Sequence, residues 1–215
     1  MRRAIAGACV AGSFALVLIV GGCGGELQER PAANDWAVYE ADDGSFSLSY
    51  PANFEAFEID PDELNMPLPP DEGLSIVIFG DERPDLGTAT FAGIMGAGWS
   101  GTELRLGAMV LPSGEFPSNV EMFVQMLRDG NESYAGYQEL HFEPVTISGL
   151  NGFDYAFETT GTLADGQEAR QTLRQVLLSD EDRLYLLNVG ALSSTYGQER
   201  GVVDQFFDSF RASGK

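Results

Sequence analysis

The chain has 215 residues and carries 33 acidic side chains against 12 basic ones, a formal charge of −21. A field of that sign repels phosphate backbones and anionic headgroups, which excludes nucleic-acid binding and adhesion to a bilayer by charge. With two cysteines and one histidine in the whole chain, iron–sulfur clusters, zinc pairs and thiol catalysis are also excluded, and no cofactor is expected.

Arg2 and Arg3 precede a nearly uninterrupted apolar run from Ala4 to Val20. This is the charged n-region and apolar h-region of a secretory signal, and it is short for a membrane span. The run closes on Val20-Gly21-Gly22-Cys23. Small residues directly before a cysteine resemble the lipobox of bacterial lipoproteins. By that resemblance residues 1–22 are a signal peptide cut before Cys23, whose thiol carries diacylglycerol, a lipid anchor of the palmitate kind. The protein is then held to a membrane through its lipid and faces out of the cytoplasm, in the cell envelope. Gly24, where an inner-membrane retention signal would place Asp, allows delivery to the outer membrane if the cell is diderm. Cleavage takes 22 of the 215 residues and two of the 12 basic groups, leaving 193 residues, 10 basic and 33 acidic side chains and a charge of −23. That length suits one domain with a sizeable core.

Residues 23–35 read as the acylated cysteine and a flexible tether with no apolar period, and 36–215 as a single domain. Trp36–Glu40 opens it. Phe46, Leu48 and Tyr50 alternate with Ser45, Ser47 and Ser49, predicting a half-buried strand that pairs with Trp36–Glu40 across Asp42-Asp43-Gly44. Residues 60–73 are acidic and Pro-rich, hence a loop, and Leu74–Phe79 suits a buried strand. Residues 81–103, rich in Gly and Ala, show no regular period. Arg105–Leu111 reads as a return strand. Ser118 and Glu121 form a capping box, and Val120, Phe123, Val124 and Leu127 line one helical face up to Gly130. From Tyr137 to Val189 an antiparallel meander is predicted: Tyr137–Ile147, Phe153–Leu163, then Glu168–Leu178 across Asp165-Gly166, then Leu184–Ala191. Thr195 and Gln198 suggest a second capping box, with Val202, Val203, Phe206, Phe207 and Phe210 along the face of a closing helix.

Two helices with one apolar stripe each need a sheet face to cover it, which predicts an α+β sandwich. Phe46-Ser47-Leu48-Ser49-Tyr50-Pro51-Ala52-Asn53-Phe54 resembles the opening strand and Tyr-Pro turn of Mog1/PsbP-like domains, and the last strand, closing helix and Ser209-Phe210 ending are similar to theirs. The resemblance runs from about Trp36 to Arg211, least well over 81–103. It implies an α/β/α sandwich around a mainly antiparallel sheet of about six to eight strands. Through bacterial lipoproteins of the LpqN and DcrB types it also implies a non-enzymatic role in binding or assembly, with an envelope protein as partner. It transfers no functional residue.

Gly96-Ala97-Gly98-Trp99-Ser100-Gly101 has the spacing of a dinucleotide loop, but a strand rather than a helix is predicted after it, so the match is set aside. If Tyr137–Ile147 is a regular strand, Glu139, His141 and Glu143 share one face, where two carboxylates beside an imidazole could hold a divalent metal weakly or support a general base. A solvated strand face is the competing reading. The acidic runs Asp60-Pro61-Asp62-Glu63 and Asp180-Glu181-Asp182 lack the spacing of a calcium loop and read as solvated turns. Met122 and Met126 read as packing residues of the first helix. Phe91, Ile94, Met95 and Trp99 concentrate apolar surface in an aperiodic stretch; they form either a partner contact or an edge of the core. Three functions follow, separated by shape. A filled sandwich fits a partner-binding module, an enterable apolar cavity a carrier of an apolar ligand, and a concave pocket at His141 a hydrolase-type enzyme using its neighbouring carboxylates. No catalytic residue is assigned.

Overall fold

A computed structural model describes residues 35–60, 63, 74–83, 104–112, 120–163, 166–180 and 182–213. Residues 1–34, with the signal and Cys23, lie outside the described residues. So do the Gly96–Gly101 motif, Ser118, and Phe91, Ile94, Met95 and Trp99.

Among the described residues, ten strands and two helices follow in the order β1 (Trp36–Glu40), β2 (Phe46–Pro51), β3 (Glu55–Glu58), β4 (Ser75–Gly80), β5 (Arg105–Pro112), α1 (Val120–Asn131), β6 (Gln138–Ile147), β7 (Leu150–Thr162), β8 (Glu168–Ser179), β9 (Arg183–Leu192), α2 (Ser193–Ser209) and β10 (Arg211–Ala212). The main sheet has seven strands in the order β3-β4-β5-β9-β8-β7-β6, and every neighbouring pair is antiparallel. The predicted β1–β2 hairpin forms, with Gly44 at φ +66° in its turn. It belongs not to the main sheet but to a three-stranded sheet with β10.

Side-chain alternation divides the main sheet into two apolar faces. On one, Val77, Phe79, Leu106, Ala108, Val110, Val176, Leu178, Tyr185, Leu187 and Val189 meet Val203, Phe206 and Phe207 of α2 together with Phe46 and Leu48 of β2. On the other, Ile76, Ile78, Met109, Leu111, Leu177 and Leu186 join Phe123 and Val124 of α1. Each fully buried Phe of α2 contributes about 2 kcal/mol over an exposed one. The result is the expected α+β sandwich, with a helix on either face of an antiparallel sheet. The Ser209-Phe210 ending locks α2 to β2: Ser49 donates its amide proton to Ser209 Oγ at 2.8 Å, and Phe210 packs against Phe46 and Tyr185 with ring centroids 6.0 and 5.3 Å away.

Several local expectations differ from the structure. Gly130 does not end α1; the helix continues to Asn131, and the glycine with positive φ is Gly136 (+68°). Thr195 is not an N-cap. Helix α2 begins at Ser193 after an extended Leu192 with no side-chain cap, and Thr195 Oγ1 donates to the Leu192 carbonyl at 3.2 Å, inside the first turn. Both capping-box readings rested on Ser/Thr-x-x-Glu/Gln spacing, which strand β9 overrides at α2 by delivering the chain already extended. Strands β3 and β10 were not anticipated, because each is too short for its alternation to show. Met122 and Met126 do not pack: they are 55% and 51% exposed.

Candidate functional site

The face predicted to carry Glu139, His141 and Glu143 does not exist as one face. Opposite β7, Glu139 pairs with Phe157 but His141 pairs with Ala156, the register shifting between them around Leu140. A bulge adds one residue to one strand and so reverses side-chain alternation beyond it. Glu139 therefore points to the α1 side, where its Oε2 accepts from Arg128 Nε at 2.9 Å and from the Tyr137 hydroxyl at 3.3 Å. The Arg128 guanidinium lies 4.4 Å over the Phe142 ring on that side. His141 and Glu143 point to the α2 side. Nothing in residue composition marks a bulge, so the sequence held no signal for this separation.

On the α2 side His141 meets a residue that sequence reasoning missed. Its Nε2 lies 2.8 Å from Asp154 Oδ1 on β7. Asp154 in turn takes Arg174 of β8, with Nε 3.0 Å from Oδ1 and NH2 2.7 Å from Oδ2. Arg174 NH1 reaches Asp204 Oδ1 on α2 at 2.6 Å, Arg200 stands 3.7 Å from Asp204 Oδ2, and the Arg174 guanidinium covers the Phe207 ring at 4.9 Å. The cross-strand pairs Ala156↔Arg174 and Asp154↔Val176 put Asp154 and Arg174 diagonally on one face, within reach of a long side chain. In sequence, Asp154 alternates with Phe153, Tyr155 and Phe157 as an ordinary outward polar residue, and β8 carries several other polar side chains, so neither residue stood out.

Burial opposes the charge on Asp154, yet the hydrogen bonds from Arg174 and then His141 outweigh it and hold its carboxyl below the usual range. For Arg174 burial likewise opposes the charge, and its bonds to Asp154 and Asp204 outweigh it, so the guanidinium stays ionised. The side chains of Asp154 and Arg174 are 15% and 18% exposed. An imidazole beside a carboxylate is half of a base–orienter arrangement. Here both oxygens of that carboxylate are bound by Arg174, and among the described residues His141 hydrogen-bonds to no hydroxyl that could act as a nucleophile. Among the described residues, no three His, Cys, Asp or Glu side chains converge as metal ligands.

A cleft of about 270 Å³ opens elsewhere, between the β1–β2 turn and strands β3 and β4. Tyr39, Asp42, Asp43 and Glu58 line it above Ile59, Leu74 and Ile76. The Tyr39 hydroxyl donates to Glu58 Oε1 at 2.9 Å; burial first and this carboxylate second push the phenol's pKa up. Asp43 Oδ1 accepts the Ser45 amide at 2.8 Å. The cleft falls below the usual range of ligand pockets, roughly 300–1,000 Å³, and its wall mixes carboxylates with apolar side chains. Among the described residues no helix is long and apolar enough to cross a membrane.

No family model and no curated protein matches the chain. Solved structures do. Cyanobacterial PsbP from Synechocystis is similar over 90% of this chain and 99% of its own, with 13% identity and a TM-score of 0.46. LpqN of Mycobacterium tuberculosis, described as involved in cell envelope biogenesis, is similar over 84% and 91% at 11% identity and 0.43. The Ran-binding protein Mog1p of Saccharomyces cerevisiae is similar over 83% and 95% at 13% identity and 0.42. These structures bear the names of the Mog1/PsbP-like resemblance, and the likeness is one of fold alone.

Proposed function

We propose that this chain is a lipid-anchored, extracytoplasmic binding or assembly module without catalytic activity. The observation that carries this reading is the state of the lone histidine. It is hydrogen-bonded to Asp154, which pairs with Arg174 and through it with Asp204, a chain that joins the sheet to α2 beside the packed core. Acid and base groups that serve catalysis face a concave pocket with a reacting partner in reach. The cleft lined by Tyr39, Asp42, Asp43 and Glu58 does not include His141, Asp154 or Arg174.

In this reading Cys23 carries the lipid, and Phe91, Ile94, Met95 and Trp99 carry the contact with an envelope protein. The anchor is tested by intact mass and detergent partitioning. Wild type enters the detergent phase with an acylated N-terminal Cys23, and Cys23→Ser does not; an unmodified mature N-terminus at another residue refutes anchoring. The contact is tested with Phe91→Ser/Trp99→Ser, compared with wild type by crosslinking in membranes. Loss of the crosslinked partner at unchanged melting temperature supports the contact, whereas a fall of several kcal/mol in stability marks these side chains as core.

A further inference from the structure

Downstream of Cys23 the chain has no cysteine, so its only sulfur there is thioether. Of the three methionines among the described residues, Met109 on β5 is 1% exposed, packed with Ile78 and Leu186, while Met122 and Met126 are 55% and 51% exposed. They stand one turn apart on α1, away from its buried Phe123 and Val124. The neighbouring side chains on that outer surface are polar, with Gln125 donating to Asp129 at 2.7 Å. Neither methionine adds to the core, and Leu, Lys, Gln or Glu would serve the helix equally well by propensity. What methionine brings to these two positions is sulfur.

We propose that Met122 and Met126 form a paired, reversible oxidation site for hydroperoxide-class oxidants. The thioether lone pair attacks the terminal peroxide oxygen. The S–O bond forms as the O–O bond breaks, the proton passes to the departing oxygen, and water or an alcohol leaves. Sulfur is oxidised by two electrons, the peroxide is reduced by two, and the product is the sulfoxide. Oxidation of a buried methionine places a polar S=O in apolar packing. At Met122 and Met126 the new oxygen enters water, so the fold is undisturbed while the two apolar side chains on the outer face of α1 become polar. Sulfoxide reductases, one for each sulfur epimer, reach both positions and restore them.

The test treats the full-length protein with hydrogen peroxide and assigns each added oxygen by peptide mapping over time. Met122 and Met126 are expected to be oxidised at least about ten-fold faster than Met109. The melting temperature should hold at that stage, and the pair of reductases should return the original mass. Met122→Leu/Met126→Leu, which keeps helix propensity and fold, should lose these two uptake events and the matching peroxide consumption. Oxidation of Met109 at a comparable rate, reaction at only one of the two, a fall in melting temperature on the first two oxidations, or failure of the reductases to reverse them would each overturn the proposal.

Discussion

Arg174→Ala is the perturbation that examines the ion-pair chain most directly. It removes three N–H contacts to Asp154, at 2.7, 3.0 and 3.2 Å, and leaves a carboxylate only 15% exposed with His141 as its remaining partner. Breaking a buried pair by deleting one member costs about 3–5 kcal/mol, because the other charge stays buried. The surviving His141 contact and the residual exposure set Asp154 at the lower end, about 3 kcal/mol. The Asp204 contact adds no more than about 0.5 kcal/mol, since that carboxylate is 44% exposed. For a domain of this size a loss of 3 kcal/mol lowers the melting temperature by roughly 6–12 °C. Arg174→Lys should fall between, keeping the charge but not the fork that spans both Asp154 oxygens. Asp154→Leu/Arg174→Met, which removes both charges, should lie much closer to wild type than Arg174→Ala. Urea unfolding followed by far-UV circular dichroism, with the slope checked for constancy, gives the double-mutant cycle. If Arg174→Ala costs less than about 1 kcal/mol, or if the double variant is as unstable as the single, the pair does not act as a buried, mutually dependent unit.

The pH dependence follows from the depressed Asp154 carboxyl. Its stabilisation is fully present above the unfolded value of about 3.9 and is lost as pH falls through the lower folded value. The stability difference between wild type and Asp154→Asn should therefore shrink below about pH 4, and a difference constant from about pH 6 to pH 3 would contradict the assignment. Gly166 lies at φ +84° in the β7–β8 turn, so Gly166→Val should cost about 1–3 kcal/mol in thermal unfolding while Gly166→Asn costs less; equal melting temperatures for Val and Gly would refute the turn geometry. At Gly152 a Cβ would overlap the Leu177 carbonyl of β8. Gly152→Ala should lose on the order of 3 kcal/mol and shift the amide resonances of Asn151 and Leu178, whereas a neutral result would mean the two strands are not in contact at this point.

Period and punctuation settled much of the architecture in advance. The alternation of Phe46, Leu48 and Tyr50, the stripe of Val120, Phe123, Val124 and Leu127, and the Phe206-Phe207-Phe210 ending are local patterns, and burial on one face is what each pattern states. Hence both helices and most strands of the meander fell within a few residues of their observed limits. So did the one-helix-per-face sandwich, because two unpaired stripes demand two sheet faces.

What only the tertiary structure decided concerns groups brought together across strands. A single extra residue at Leu140 turned Glu139 away from His141, and the apparent Glu-His-Glu face dissolved. The partner of His141 is Asp154 of β7, 13 positions along the chain, and Arg174 of β8 and Asp204 of α2 join the group through it. Registers of that kind are chosen by the summed packing of the whole sheet, in which no single residue carries the information. Likewise, Met122 and Met126 read as packing because apolarity in a helix suggests burial. They are outside because α1 turns a different stripe, Phe123 and Val124, toward the sheet, and that choice belongs to the fit of helix against sheet rather than to either methionine.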